Sequence, residues 1–362
     1  MIGAGAAKPP DPQSPVQPRN EKGKNPMNSE KGSPSGPVID VHSHATLDLG
    51  DGRDAGTNIS FDFVPPWTPE SGLELMDEVG IGLSVLSMPE AGVHFDDAQN
   101  KDRARGINEY LTGLATQHPT RRGAMAALPV TNIDAALDEL AHALDVLDMD
   151  AVSLPTSVHD VYLGDAFFDP LFDELNRRRA TVFVHPVQAK ASEPLNLGLN
   201  QSLLEFPFDT TRMIANMIFS GAINRFPDIR FIASHGGGTL PFLLSRLQIL
   251  EPATGAGPGR AKLSAQEIQD GAASFYYDLT AATSKAHLTA LTEMVPASRL
   301  LVGFDIPFMP APTMRPALDA IRGWPGFTDK DVEKIFHKNA AGLFPKVAAR
   351  LHGAVRTRGR GA

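Results

Sequence analysis

Short apolar segments alternate with longer segments of helical periodicity, and this alternation constrains the fold of the 362-residue chain more than any other feature. The candidate strands are the β-branched or apolar runs 38–42, 83–88, 122–127, 151–154, 181–185, 229–234, 275–279 and 300–303. Helical patterns fall between them, such as 69–79 after the candidate N-cap Thr68, 133–147 and, last, 330–343. Eight strand–helix units predict a (β/α)8 TIM barrel, with a doubly wound open sheet as the alternative.

The two ends of the chain differ in composition from the segment between them. Residues 1–37 are rich in proline, glycine and serine with little apolar content, which predicts a disordered N-terminal arm. Residues 346–362 are rich in arginine and glycine and predict a basic flexible tail. We therefore expect a single TIM-barrel domain over residues 38–345.

Composition excludes several classes of function. The chain has no cysteine, so disulfides, thiolate metal sites and cysteine nucleophiles are ruled out. Lys and Arg number 33 against 42 Asp and Glu, and the net charge of −9 argues against nucleic acid or an anionic membrane as partner. No apolar run approaches the roughly 18 residues of a membrane span, and the start lacks the pattern of a secretory signal. These features predict a cytoplasmic protein.

Side chains able to bind metal follow four of the predicted strands. His42 and His44 end the first strand, and His185, His235 and Asp305 follow the fifth, sixth and eighth. The carboxyl ends of barrel strands share one rim, where active sites of this fold lie. Three imidazoles and a carboxylate match the ligands of a zinc or manganese site with an open position. His235 is then available as an acid or base.

These residues lie in motifs that resemble a known family. VIDVHSH, VFVHP, IASHGGGTLPF and LLVGFDIPF are similar, in order and spacing, to motifs of the amidohydrolase superfamily. The resemblance covers residues 38–345 and is closest to the amidohydrolase-related branch that includes aminocarboxymuconate semialdehyde decarboxylase. The segment WTPESGLELMDEVGIGLSVLSMPEAGVHF further resembles the 6-methylsalicylate decarboxylases.

The resemblance implies roles for individual residues. It implies His42, His44, His185 and Asp305 as ligands of a divalent ion. One ion is expected, because the fourth strand lacks the lysine that bridges two metals in dinuclear members. Zn²⁺ is the first choice for this ion and Mn²⁺ is the alternative. It implies that His235 acts in acid–base chemistry, orients substrate or activates water. For aromatic substrates, the family precedent assigns the proton transfer to Asp305. The sequence by itself does not decide whether Asp305 or His235 transfers the proton. Arg246 matches an arginine that reaches a neighbouring subunit's active site and holds a substrate carboxylate, which implies a homodimer or larger homo-oligomer.

The loop after the first strand bears on the substrate. The semialdehyde decarboxylases carry an arginine ahead of their tryptophan, whereas this chain has the aromatic residues Phe61 and Phe63 before Trp67. These rings either stack on an aromatic substrate or pin the loop to the barrel. His94, after the second strand, is a further candidate for substrate contact.

These observations predict the reaction. We expect a metal-dependent decarboxylase that releases CO₂ from a small, salicylate-like carboxylic acid. The alternative is a mononuclear metal-dependent hydrolase that acts on an amide, lactone or related carbonyl. A non-catalytic relative is less well supported, because no member of the ligand set has been lost.

Overall fold

The architecture comes from a computed structural model that describes residues 36–55, 62, 64–88, 97–187, 189–195, 197–257, 260 and 262–358. Eight parallel strands form one sheet: β1 (Val38–His44), β2 (Ile81–Ser87), β3 (Arg122–Ala127), β4 (Ala151–Pro155), β7 (Thr181–His185), β8 (Arg230–Ala233), β9 (Tyr276–Asp278) and β10 (Leu300–Leu301). Two short antiparallel strands, β5 (Ser157–Val158) and β6 (Val161–Tyr162), form a hairpin after β4. The sheet closes because Asp40 and Ser43 bridge to the segment after β10. The architecture is the predicted TIM barrel.

The helices connect the strands and cover the outside of the barrel. They are α1 (Pro69–Val79), α2 (Asp97–Gln117), α3 (Ile133–Ala141), α4 (Asp169–Arg177), α5 (Glu205–Phe219), α6 (Ala222–Arg225), α7 (Leu240–Thr254), α8 (Ala265–Ser274), α9 (Lys285–Met294), α10 (Met314–Gly323), α11 (Asp329–Glu333), α12 (Asn339–Leu343) and α13 (Pro345–Arg358). Thr68 caps α1 through the backbone N–H of Ser71, as the sequence predicts. Within the described residues, no helix is both long and apolar enough to cross a membrane.

The predicted helix over 133–147 and the last helix are continuous but irregular. After α3, the turn His142–Val146 is wound as a π-helix, and a second π-helical turn, Lys334–Lys338, joins α11 to α12. The apolar periodicity therefore located both elements, while the local hydrogen-bond pattern differs from an ideal α-helix.

The segment predicted as a basic flexible tail, from residue 346, is helical up to residue 358. These residues form α13, in which Val347 is fully buried in the interior apolar cluster. Arg350 pairs with the Asp150 carboxylate at 2.9 Å. An interpretation based on the arginines of the segment does not detect this buried apolar residue or the partly buried ion pair. The predicted arm at 1–37 lies outside the described residues except at its end, where the Pro37 carbonyl oxygen lies 3.1 Å from His337 Nδ1.

Apolar side chains inside the barrel form a cluster that closes its amino-terminal end. Ile39, Val85, Met125, Phe183 and Ile232 point inward from their strands, and Leu343, Phe344 and Val347 of the carboxyl-terminal helices pack against them. The interior is a packed core, as in other barrels of this type. The polar side chains of the site lie at the carboxyl-terminal end, where the His42 ring contacts Phe183.

Candidate metal centre and active site

The barrel brings all five predicted polar residues to its carboxyl-terminal end. One ligand atom from each of His42, His185, His235 and Asp305 lies within 4.8 Å of the others. His44 joins them because its Nε2 lies 3.0 Å from Asp305 Oδ1. These residues are up to 263 positions apart in the sequence, since Asp305 follows the last strand and His42 lies in the first. We call the five residues the His/Asp cluster.

An irregularity in β1 directs its two histidines into this cluster. Ile39 and Val41 pack in the barrel interior, so strict alternation would point Ser43 inward and His42 outward. The pairing of β1 with β2 shifts register between Asp40 and Ser43. The shift changes the alternation, and the His42 ring then contacts the interior Phe183 ring at 4.9 Å.

Hydrogen bonds on the outer side hold three histidine rings in orientation. In each ring Nδ1 has a neighbouring oxygen: Asp278 Oδ2 at 3.0 Å from His42, Ser87 Oγ at 2.9 Å from His44, and the Pro186 carbonyl oxygen at 2.9 Å from His185. An imidazole that engages Nδ1 in this way presents Nε2 to a metal. The hydrogen-bond partners of Nδ1 therefore orient the three rings so that each Nε2 can bind a metal ion.

Buried polar atoms without partners face the centre of the cluster. Within the described part of the chain, His42 Nε2, His44 Nε2 and Asp305 Oδ1 are buried and make no hydrogen bond. The two nitrogens lie 3.5 Å and 3.0 Å from that oxygen. The 3.0 Å contact between His44 Nε2 and Asp305 Oδ1 lacks the alignment of a hydrogen bond. Unpaired buried groups of this kind are costly. Imidazole nitrogen and carboxylate oxygen are suitable donors for a divalent cation, and the His/Asp cluster fits one.

The electrostatics of the cluster favour the protonation states of a ligand set. Burial holds the pKa of His44 below its usual value and that of His185 well below it, so both rings are neutral. Burial raises the pKa of Asp305, but His42 and the other histidines outweigh it and hold the pKa well below the usual range. Burial also lowers the pKa of His42, and the Asp278 and Asp305 carboxylates outweigh it and raise the pKa to about 10. His42 thus carries the proton that a cation would replace.

Asp278, at the end of β9, is a functional residue that the sequence analysis missed. Its Oδ2 accepts from His42, while its Oδ1 accepts from the backbone N–H groups of His235 at 3.3 Å and Thr280 at 2.9 Å. One carboxylate thus fixes the positions of two members of the cluster. The signal was available, because Asp278 is a carboxylate at the end of a predicted strand, the criterion that selected the histidines.

Two members of the cluster have unusual backbone conformations. His235 and Asp305 have φ values of 53° and 55°, a left-handed region that costs energy for residues other than glycine. Gly303 precedes Asp305 at a close approach, since a Cβ there would lie 2.6 Å from Thr280 Oγ1 and 2.9 Å from Asp278 Oδ1. The unfavourable backbone conformations therefore occur at the two residues that place an acidic or basic side chain in the cluster, His235 and Asp305.

A cavity of 320 Å³ opens beside His235. Its walls are largely apolar or aromatic and come from the segment before α5, the first turn of α5, the start of α7 and the start of α9: Leu203, Leu204, Phe206, Phe208, Phe242 and His287. Phe206 also contacts the His185 ring edge-on at 5.6 Å, which joins the cavity to the His/Asp cluster. This volume lies at the lower end of the roughly 300–1,000 Å³ of small-molecule sites and suits a single ring. The sequence analysis did not identify these residues.

The structure does not bring the predicted substrate residues Trp67 and Arg246 to the cluster. Trp67 is half-buried against α1, where a Cβ at Gly72 would lie 2.8 Å from its Nε1. This packing supports the alternative that the ring pins the loop. Arg246 is exposed on α7 and lines an outer groove of 520 Å³. Phe61 and His94 lie outside the described residues.

The chain is similar in sequence to a known protein family and to several of its decarboxylases. The amidohydrolase family model matches residues 39–346. Decarboxylase yanB of Aspergillus niger is 33% identical over 329 residues, 85% of this chain and 87% of that protein. A 6-methylsalicylic acid decarboxylase of Penicillium expansum is 31% identical over 284 residues, 75% of this chain and 85% of its own length.

Solved structures agree on the fold. The crystal structure of a dihydroxybenzoic acid decarboxylase from a Polaromonas species, with bound manganese, superimposes with a TM-score of 0.73. It covers 85% of this chain and 97% of that chain at 21% identity. A barrel with histidine and aspartate donors at its carboxyl-terminal rim defines a class of metal-dependent enzymes. Within that class, this chain belongs to the amidohydrolase family.

Proposed function

We propose that the chain is a metal-dependent decarboxylase that releases CO₂ from a small aromatic, salicylate-like carboxylic acid. The observation that carries the proposal is the His/Asp cluster joined to an aromatic cavity sized for one ring. Relatives that are 30–33% identical and bear decarboxylase names support the same reaction class.

His42, His44, His185 and Asp305 hold a single divalent ion in this proposal. β4 supports one ion, because its sequence AVSLP contains no lysine that could bridge a second. Zn²⁺ suits three imidazoles and a carboxylate, and Mn²⁺ is the alternative because the Polaromonas protein holds it. When bound, the ion supplies positive charge that orients the substrate carboxylate and neighbouring phenol oxygen and stabilises developing negative charge.

His235 and Asp305 handle the proton. When the bond between the ring and the carboxylate breaks, CO₂ leaves and the electron pair remains on the ring carbon, which must gain a proton. His235 Nε2 lies 3.6 Å from Asp305 Oδ2, so the two groups form a pair that can hold one proton and deliver it to that carbon. The apolar lining from Phe206 and Phe242 excludes water from the ring.

A homodimer supplies the remaining substrate contact in this proposal. The exposed Arg246 lies on α7 among exposed apolar side chains, including Phe242 at 50%, Ile249 at 69% and Leu250 at 38% exposure. Such a patch is typical of an interaction surface. Pairing of two copies through α7 would cover it and carry Arg246 to the partner's substrate carboxylate.

The test is CO₂ release from salicylate, 6-methylsalicylate and dihydroxybenzoates by zinc-loaded, manganese-loaded and chelated protein. We expect metal-dependent release with about one ion per chain. His44→Ala should lose metal and activity together, while His235→Ala should keep its metal and lose turnover. A metal-loaded protein that releases CO₂ from none of these acids would refute the proposal, and amide, ester and lactone hydrolysis would be measured next.

A further inference from the structure

His287 contributes a polar group to the otherwise largely apolar cavity beside His235. It lies in the first turn of α9, and its ring packs edge-on against Phe242 at 5.3 Å with an interplanar angle of 67°. The ring is half-buried and lines the same cavity as His235 and Phe206. His287 belongs neither to the His/Asp cluster nor to its outer hydrogen-bond partners. The reaction proposed above leaves it without a role.

The N-cap of α9 provides a partner for one ring nitrogen of His287. Ser284 Oγ accepts the backbone N–H of His287 at 3.3 Å and also lies 3.3 Å from His287 Nδ1. Since the hydroxyl oxygen already accepts a hydrogen bond, its own hydrogen is free to be donated to Nδ1. With this donation, Nδ1 is the acceptor of a neutral ring and the proton lies on Nε2; this is the tautomer on which the inference rests. Burial lowers the pKa of His287, which favours this neutral form.

The Nε2–H group of His287 has no protein acceptor among the residues that the structure describes. A donor without a partner beside apolar walls favours a ligand that brings an oxygen to this point and an apolar face elsewhere. Leu203, Phe206 and Phe242 provide the apolar face. An aromatic ring with an oxygen substituent has both properties.

We propose that His287 is a specificity-determining residue that donates a hydrogen bond to an oxygen substituent on the substrate ring, so the preferred substrate is a hydroxybenzoate with a further hydroxyl or methoxy group. This inference rests on the proposed function, because it places the ring of the decarboxylase substrate in this cavity. A methyl group at the same ring position fills similar space without accepting the hydrogen bond. The preference between the two substituents therefore measures the contribution of His287.

The experiment compares pairs of salicylates that carry either a hydroxyl or a methyl group at ring position 3, 4, 5 or 6. The measured quantity is the ratio of kcat/KM for the hydroxyl acid to that for the methyl acid. We expect His287→Phe to lower this ratio about tenfold at one position. His287→Gln keeps an N–H donor and should restore the ratio to within about threefold of the original protein. A ratio unchanged in His287→Phe at all four positions would overturn the inference.

Two controls separate specificity from damage to the fold. His352→Phe makes the same chemical change at an exposed position on α13 and should leave every ratio unchanged. Metal content and melting temperature of each variant show whether the barrel is intact. If His287→Phe does not fold, His287→Leu takes its place with the same expected ratio.

Failure of the proposed function gives a different pattern. If the original protein releases CO₂ from no acid, the decarboxylase proposal fails and calorimetry on metal-loaded protein measures the affinities of the same pairs. A tenfold loss of the hydroxyl preference in His287→Phe then still supports the hydrogen bond. The inference would be overturned if the original protein and His287→Phe showed the same ratio of affinities for every hydroxyl–methyl pair, or if the original protein bound none of the acids.

Discussion

Replacing Asp278 by asparagine tests whether one carboxylate organises the cluster. Oδ2 of Asp278 accepts from His42, and Oδ1 accepts from the backbone N–H groups of His235 and Thr280. Asparagine has one oxygen and one NH₂ group, so it can satisfy only one of these two sides. In either orientation an NH₂ group faces a buried donor.

The magnitude follows from these contacts. A buried donor left without an acceptor costs about 1–3 kcal/mol. Loss of a hydrogen bond behind a ligating histidine typically lowers metal affinity about 10- to 100-fold. Thr280 Oγ1 lies 3.2 Å from His42 Nδ1 and offers the ring a substitute acceptor. We therefore expect the lower end of the range, about tenfold weaker zinc binding, or about 1.4 kcal/mol.

Competition with a zinc chelator measures the affinity, and urea unfolding in the absence of metal measures the stability of the fold. Asp150→Asn is the matched control, because Asp150 is a carboxylate with 3% exposure that accepts from Ala124 N–H and pairs with Arg350. It should lower the free energy of unfolding without changing zinc affinity. Asp278→Asn protein that binds zinc as tightly as the original would refute the positioning role.

Three further predictions concern other parts of the chain. Gly303→Ala should weaken metal binding and lower the melting temperature, since its Cβ would lie 2.9 Å from Asp278 Oδ1; unchanged binding in the chelator assay would contradict this. The Glu174 pKa is lowered to about 2 by hydrogen bonds from two arginines, and the charged form therefore contributes stability above about pH 4.5 that is lost as the pH falls toward 2. Urea titrations should show Glu174→Gln about 1 kcal/mol less stable near pH 7, a difference that narrows below about pH 4.5. Arg246→Ala mixed with inactive Asp305→Ala should recover activity if a site is shared between subunits, and a mixture without activity would place Arg246 outside it.

The sequence by itself determined the barrel and the polar residues of its rim. β3 (Arg122–Ala127) and β7 (Thr181–His185) have the predicted bounds, because an apolar run between helical segments is a local signal. His42, His44, His185, His235 and Asp305 could be selected because strand ends in this fold share one rim, so chain order alone implies their proximity. Chain order does not specify how the rings are oriented.

Only the tertiary structure decided the orientation of the side chains and what surrounds them. The two histidines of β1 face inward because the pairing of β1 with β2 shifts register. The alternation of residues in the β1 sequence does not reveal this shift. Asp278 and Phe206 acquire their roles from tertiary contacts, Asp278 with His42 and Phe206 with His185. The same reason explains the tail: the arginines of 346–358 suggested solvent exposure, but Val347 completes the core and Arg350 finds Asp150. These orientations and burials depend on packing between residues far apart in the sequence, which local composition does not encode.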